Sequence, residues 1–182
     1  MHAELRHGKI RYGVLGAAED GAAFDVEGQY FPQDGSNYGV ARLLFENKNQ
    51  GSAYQGVGLI STMSDHPESR AQVQGLDYHF LSNSGEWKLD SQLLYSNTDE
   101  EGDGLGGHMD VTFRPSRRMQ VNFSAAHYDD QLDLNDVGFL RRNDVTDFWF
   151  ETEYRRYDFD WARKLYLNGF VTVSYTHLRA HE

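Results

Sequence analysis

The chain has 182 residues, with 17 Lys and Arg against 28 Asp and Glu for a formal charge of -11, and no Cys. These values exclude a disulfide scaffold, a thiolate zinc site, an iron–sulfur cluster and a Cys nucleophile, and they argue against a nucleic-acid partner, which needs a basic face. Only 39% of residues are hydrophobic, yet there are 11 Tyr, 11 Phe and 3 Trp, an odd mixture for a soluble core, and no apolar run of about 18 residues exists for a membrane-spanning helix.

The start, Met1 to His7, has no apolar stretch and does not read as a signal peptide. Beyond it, alternation of apolar and polar residues replaces helical spacing. Ten strands are predicted: 8–18, 22–31, 37–47, 53–63, 70–81, 86–97, 106–114, 118–128, 144–156 and 161–174. Phe24, Val26, Gly28 and Tyr30 stand against Asp25, Glu27 and Gln29 in one of them. Trp87, Leu89, Leu93 and Tyr95 stand against Lys88, Asp90, Gln92 and Ser96 in another. Successive strand side chains point to opposite faces, so each segment has an apolar and a polar face. Gly39, Gly56 and Gly58 blur the third and fourth strands and suggest bends or bulges. Short connections at 19–21, 47–52, 82–85, 115–117 and 157–160 alternate with a second set at 32–36, 64–69, 98–105 and 129–143, longer and more polar in all but the first. That describes an antiparallel up-and-down meander.

Two architectures bury such strands. A soluble sandwich or lipocalin-like barrel turns the apolar face inward; an outer-membrane barrel turns it out to lipid around a watery lumen. Strand lengths near the roughly 9–11 residues that cross a bilayer at a tilt favour the second. So do the charged polar face and the aromatics at strand ends, among them Tyr30, Tyr78, Trp87, Tyr95, Tyr154 and Trp161.

The stretch Asn135-Asp136-Val137-Gly138-Phe139-Leu140-Arg141-Arg142-Asn143-Asp144 follows a strand and an acidic loop and precedes an aromatic strand. It resembles the "vGFlrR.d" signature of the DUF5916 family, and Ala71-Gln72-Val73-Gln74-Gly75-Leu76-Asp77 resembles that family's "yGvD" strand, where a Gly and an Asp open a new barrel strand. The resemblance implies a bacterial outer-membrane β-barrel region, in a family whose members often carry a family 9-type carbohydrate-binding domain ahead of it. It also implies that residues 1–173 are a partial β-barrel domain, a fragment of a longer protein. Ser174 to Glu182 breaks the strand pattern and resembles an adapter-derived, non-native tail. His177 and His181 within it have metal-ligand spacing but no third ligand.

Candidate sites are few. Asp99, Glu101 and Asp103 lie in an oxygen-rich, Gly-containing loop that would suit Ca²⁺, although the EF-hand spacing is absent and a solvated loop is the plainer reading. Asp136, Arg141 and Arg142 could form a charged constriction of a lumen, or a structural ladder paired with acidic neighbours. Glu151 and Glu153 share one strand face, about 7 Å apart by strand rise, a separation compatible with an inverting glycosidase pair but also with any lumen wall. No G-x-S-x-G, H-E-x-x-H or phosphate-loop motif occurs, and no cofactor is called for. The functional expectation is therefore passage or capture of a solute, with oligosaccharide the favoured class, by a barrel whose partner is outer-membrane lipid. The alternatives are a membrane anchor for an upstream carbohydrate-active domain and a soluble β-barrel binder.

Overall fold

The computed structural model describes residues 2–7, 9–26, 29–47, 51–99, 101–134, 142–157 and 159–176. They contain twelve strands: β1 (His2–His7), β2 (Ile10–Ala18), β3 (Ala22–Val26), β4 (Gln29–Gln33), β5 (Asn37–Asn47), β6 (Tyr54–His66), β7 (Ser69–Leu81), β8 (Trp87–Thr98), β9 (Gly102–Ser116), β10 (Met119–Tyr128), β11 (Val145–Arg156) and β12 (Leu165–Thr176). Ten of them form one sheet in the order β1-β2-β5-β6-β7-β8-β9-β10-β11-β12, every neighbour antiparallel. The fold is all-β, and the sheet is an antiparallel meander with β1 and β12 at the two ends of its strand order.

Five expectations change. The predicted strand 22–31 is two strands, β3 and β4, which pair with each other (Ala22↔Gln33, Phe24↔Phe31) outside the main sheet. Alternation marks extended chain but does not say what it pairs with. Pro32 has no amide hydrogen to donate, which suits a two-stranded hairpin better than a central strand. The first strand of the sheet, β1, lies where no strand is predicted.

Strands β6, β7 and β9 also run further than expected, with lengths of 13, 13 and 15 residues. The predicted loops 64–69 and 98–105 shrink to the connections 67–68 and 99–101. Polar residues such as Asp65 and Asp103 keep the ladder because backbone pairing does not depend on side-chain polarity. Strand β12 pairs with β11 through Thr176, so Ser174, Tyr175 and Thr176 belong to the sheet and not to a tail; the remainder of that stretch lies outside the described residues.

The glycines of β5 and β6 mark no bulge. Register runs without a break from Asn37↔Asp65 to Asn47↔Gln55 and on across β7. A register shift occurs instead between β9 and β10, at Met119/Val121.

Residues directly opposite in an antiparallel pair lie on the same face, so register assigns faces across the whole sheet. One row reads Tyr12, Leu43, Leu59, Leu76, Leu93 from β2 to β8. Another reads Phe80, Leu89, Val111, Phe123, Phe150, Val171 from β7 to β12. On the opposite face stand Arg42, Glu46, Asp77, Asp90, Asn122 and Glu151. The apolar face is the open one: Leu93 is 63% exposed, whereas Asp77 is 3% exposed. Buried hydrophobic residues are confined to Ala71, Val73, Leu132 and Val145 among the described residues. The sheet therefore buries polar groups and exposes apolar ones.

Candidate functional site on the polar face

The centre of the polar face is Asp77 on β7. Arg42 on β5 donates from Nη2 to both of its carboxylate oxygens, at 3.0 and 3.1 Å. The pair reaches across an intervening strand, which is possible because the β6 residue opposite Asp77 is Gly58. A Cβ there would lie 2.2 Å from Asp77 Oδ2. Gly58 is thus a window in the ladder, not a bend.

The network continues along and across the strands. His79 places Nε2 3.1 Å from Asp77 Oδ2 and Nδ1 2.7 Å from Asp90 Oδ1. Lys88 pairs with the other oxygen of Asp90. Towards β2, Arg11 forms an ion pair with Glu46 at 2.7 Å, and the Tyr54 hydroxyl donates to Glu46 at 3.0 Å. Gly56, opposite both Glu46 and His79, leaves room for that hydroxyl: a Cβ would sit 2.9 Å from it. Buried carboxylates are retained only when paired, and each one here has a cationic or hydroxyl partner.

A second cluster holds the two glutamates expected from the sequence. Glu151 accepts from Asn122 Nδ2 at 3.1 Å and from Asn168 Nδ2 at 2.7 Å. Glu153 accepts from Arg155 at 2.5 Å and from the Tyr166 hydroxyl at 3.2 Å. Both face the polar side, flanked by β10 and β12. Each is held by neighbours that donate hydrogen bonds. Glu151→Gln should therefore keep the cluster's shape while removing its charge, with a stability change within about 1 kcal/mol by chemical denaturation. A loss of several kcal/mol would mean that the charge itself holds β10, β11 and β12 together.

The segment after β10 folds back over the same face. Leu132 is 1% exposed and sits over Gly104 and Gly106 of β9. A Cβ on Gly104 would lie 2.3 Å from the Leu132 Cα. The amide of Asp133 donates to Ser96 Oγ at 3.1 Å, and Ser96 is fully buried. Asp129 closes the base of the segment: its Oδ2 accepts from the Leu105 amide at 2.7 Å, and its own amide donates to the Leu105 carbonyl at 3.0 Å. Residues 129–134 thereby narrow the polar face at the end where β8 turns into β9.

The remaining sequence candidates are dispersed. The Asp99 carboxylate accepts from the Arg70 amide at 3.0 Å, and Asp103 accepts from the Tyr95 hydroxyl at 2.8 Å and Asn97 Nδ2 at 2.6 Å. The Glu101 amide donates to Thr98 Oγ1. Among the described residues no three His, Asp or Glu gather as a metal site. Arg142 is exposed, while Asp136 and Arg141 lie outside the described residues, as do His177 and His181.

Sequence reading missed Arg42, Asp77, His79 and Asp90. His79 stands alone in sequence, and only the register brings Asp90 beside it. Asp77 carried a signal in the Gly75-Leu76-Asp77 stretch, but the two residues sit mid-strand on the polar face and do not open a strand. What the arrangement offers chemically is a wall of fixed charges of both signs. It can bind and orient a polar solute through exchangeable hydrogen bonds.

No curated protein and no solved structure matches the chain. Residues 35–181, from the start of β5 through β12, match the model of a family described as "Domain of unknown function (DUF5916)". With most of its length and the whole of the Asp77 network from β5 onward inside that match, the chain belongs to the DUF5916 family.

Proposed function

We propose that this chain forms wall of an outer-membrane β-barrel, with its apolar face against lipid and its polar face lining a lumen that passes or holds a polar solute. The observation that carries this reading is the inverted sidedness of the sheet: the row Tyr12, Leu43, Leu59, Leu76, Leu93 is exposed on one face, and the ion-paired Glu46 and Asp77 are buried on the other. A soluble sheet protein reverses that arrangement, because exposing rows of Leu and Phe forfeits roughly 25 cal/mol for each Å² left in water. Strand length supports the same reading. The 13 residues of β6 extend roughly 43 Å at about 3.3 Å per residue, enough to cross a hydrocarbon core of about 30 Å at a tilt. Trp87 stacks on Phe113 with ring centroids 4.2 Å apart where β8 starts. Tyr157 and Trp161 are exposed at the same end of the sheet, and aromatic rings favour the membrane–water boundary. A depression of about 510 Å³ on the apolar face, over Ala41 and Ser61 and rimmed by Leu43, Leu59 and Leu76, would take an acyl chain. The preference for oligosaccharide rests on the carbohydrate-binding domain that the family resemblance implies.

The test is directional. Val111 and Phe123 are opposite one another on the apolar face, while Asp110 and Asn122 are their neighbours on the polar face. Val111→Arg or Phe123→Arg is expected to cost about 2–4 kcal/mol of folding into lipid bilayers and to reduce heat-resistant, membrane-inserted protein. Asp110→Arg and Asn122→Arg should insert normally. Equal tolerance on both faces would overturn the lipid-facing assignment.

A further inference from the structure

The two ends of the sheet carry opposite charge. Asp65, Glu68, Asp99, Glu101, Asp129 and Asp133 crowd the end with the turns at 67–68 and 99–101. Lys88, Arg114, Arg117, Arg118, Arg155 and Arg156 crowd the other. In a chain of net charge -11, a basic end is a local specialisation. At its centre, where β9 turns into β10, a pocket of about 210 Å³ is lined by Arg114, Arg117, Arg118 and Arg155 together with Ser116, Met119, Gln120 and Glu153.

The geometry points to this pocket as a binding site for the phosphate group of a phosphate-bearing ligand. Four guanidinium groups from two strands and a turn line it, and the guanidinium fork matches the oxygens of a phosphate two at a time. The pocket's one carboxylate, Glu153, is already held by Arg155 at 2.5 Å and by the Tyr166 hydroxyl, so the balance of charge stays strongly positive.

The backbone is shaped to the same end. The register shift at Met119/Val121 lies in this corner of the sheet. It sets Arg114 and Pro115 against Gln120 alone, and Arg114, on the polar face like Asp110 and Thr112 before it, donates from Nε to Gln120 Oε1 at 2.8 Å. The Arg114 amide donates to the Glu86 carbonyl and the Arg155 amide to the Arg118 carbonyl, both at 2.7 Å. Neighbouring strands thus pin the backbone that carries the arginines. The site lies on the polar face, so it does not depend on what covers the apolar one.

The full chain, folded in detergent micelles, would be titrated with inorganic phosphate and followed by phosphorus NMR at fixed ionic strength. Saturable binding is expected. Arg117→Gln with Arg118→Gln, both on an exposed turn, should weaken it at least about tenfold, the equivalent of one charge-assisted contact. Arg114→Gln should weaken it similarly, and Arg142→Gln near the acidic end should leave it unchanged. No saturation, an unchanged affinity in the double variant, or an equal loss in Arg142→Gln would overturn the site. The source of the phosphate is read in phosphatidylcholine vesicles with and without phosphatidic acid. Competition by phosphatidic acid that vanishes in the double variant assigns a lipid headgroup, and undiminished phosphate binding assigns a soluble phosphorylated solute.

Discussion

Replacing Gly58 by valine is expected to lower the unfolding free energy by about 2–4 kcal/mol, more than its placement in a regular strand would suggest. The new Cβ would stand 2.2 Å from Asp77 Oδ2 and 2.5 Å from Oδ1, so the carboxylate must leave both Arg42 and His79. Stripping partners from a buried charge costs roughly 3–5 kcal/mol when both members are buried. Here the Arg42 side chain is 43% exposed and Asp77 5%, which places the loss at the lower end. Valine's strand propensity returns less than about 1 kcal/mol. The decisive comparison is a double-mutant cycle in lipid or detergent. With Asp77→Ala already present the collision is gone, so Gly58→Val should cost about 2 kcal/mol less than it does alone. Strictly additive losses would show that Gly58 serves some purpose other than opening the path between Arg42 and Asp77.

The second large effect concerns the segment folded over the polar face. Gly104→Val would set a Cβ against backbone, 2.3 Å from the Leu132 Cα and 2.4 Å from its nitrogen, and a backbone cannot swing aside as a side-chain tip can. The segment must lift, giving up the burial of Leu132, worth about 1.5–3 kcal/mol, and the bond from the Asp133 amide to Ser96. Amides of residues 131–134 should then exchange with solvent at least about tenfold faster, the equivalent of about 1.4 kcal/mol in local opening, while those at the centre of β7 stay protected. In planar bilayers the same variant should conduct more ions than the parent if the polar face lines a pore. Unchanged exchange at 131–134 would mean that Leu132 is not what holds the segment down. Leu132→Ala is the milder companion. It deletes the packing without the backbone collision and should fall between parent and Gly104→Val.

Both predictions rest on glycines whose meaning was not visible in the chain alone. Gly56 and Gly58 looked like interruptions of an alternating strand because a missing side chain weakens a period-two pattern. Their importance lies in what occupies the vacated space: Tyr54, Asp77 and, through it, a β5 arginine two strands away from β7. No local pattern encodes a contact between residues 35 positions apart. The same holds for His79, which paired with nothing in sequence and is bracketed by two carboxylates once β7 and β8 come into register. Glu151 and Glu153 were legible as a pair on one strand face because they are two residues apart on a single strand. Their Asn and Tyr partners were not, since these come from β10 and β12.

The opening contradiction, a chain poor in hydrophobic residues and rich in aromatics, was already a statement about sidedness. Alternation is a property of consecutive residues, so the sequence by itself determined that the chain is all-β, that its strands form a meander, and that each strand has one apolar and one polar face. It also held the marks of its family, now matched over residues 35–181. Only the tertiary structure decided that β3 and β4 pair outside the main sheet and that β6, β7 and β9 run past their apolar stretches. It alone decided that the polar face is the buried one, and that four arginines from a turn and two strands share one pocket. Each of these depends on register between strands, and register is set by pairing partners that lie far away along the chain.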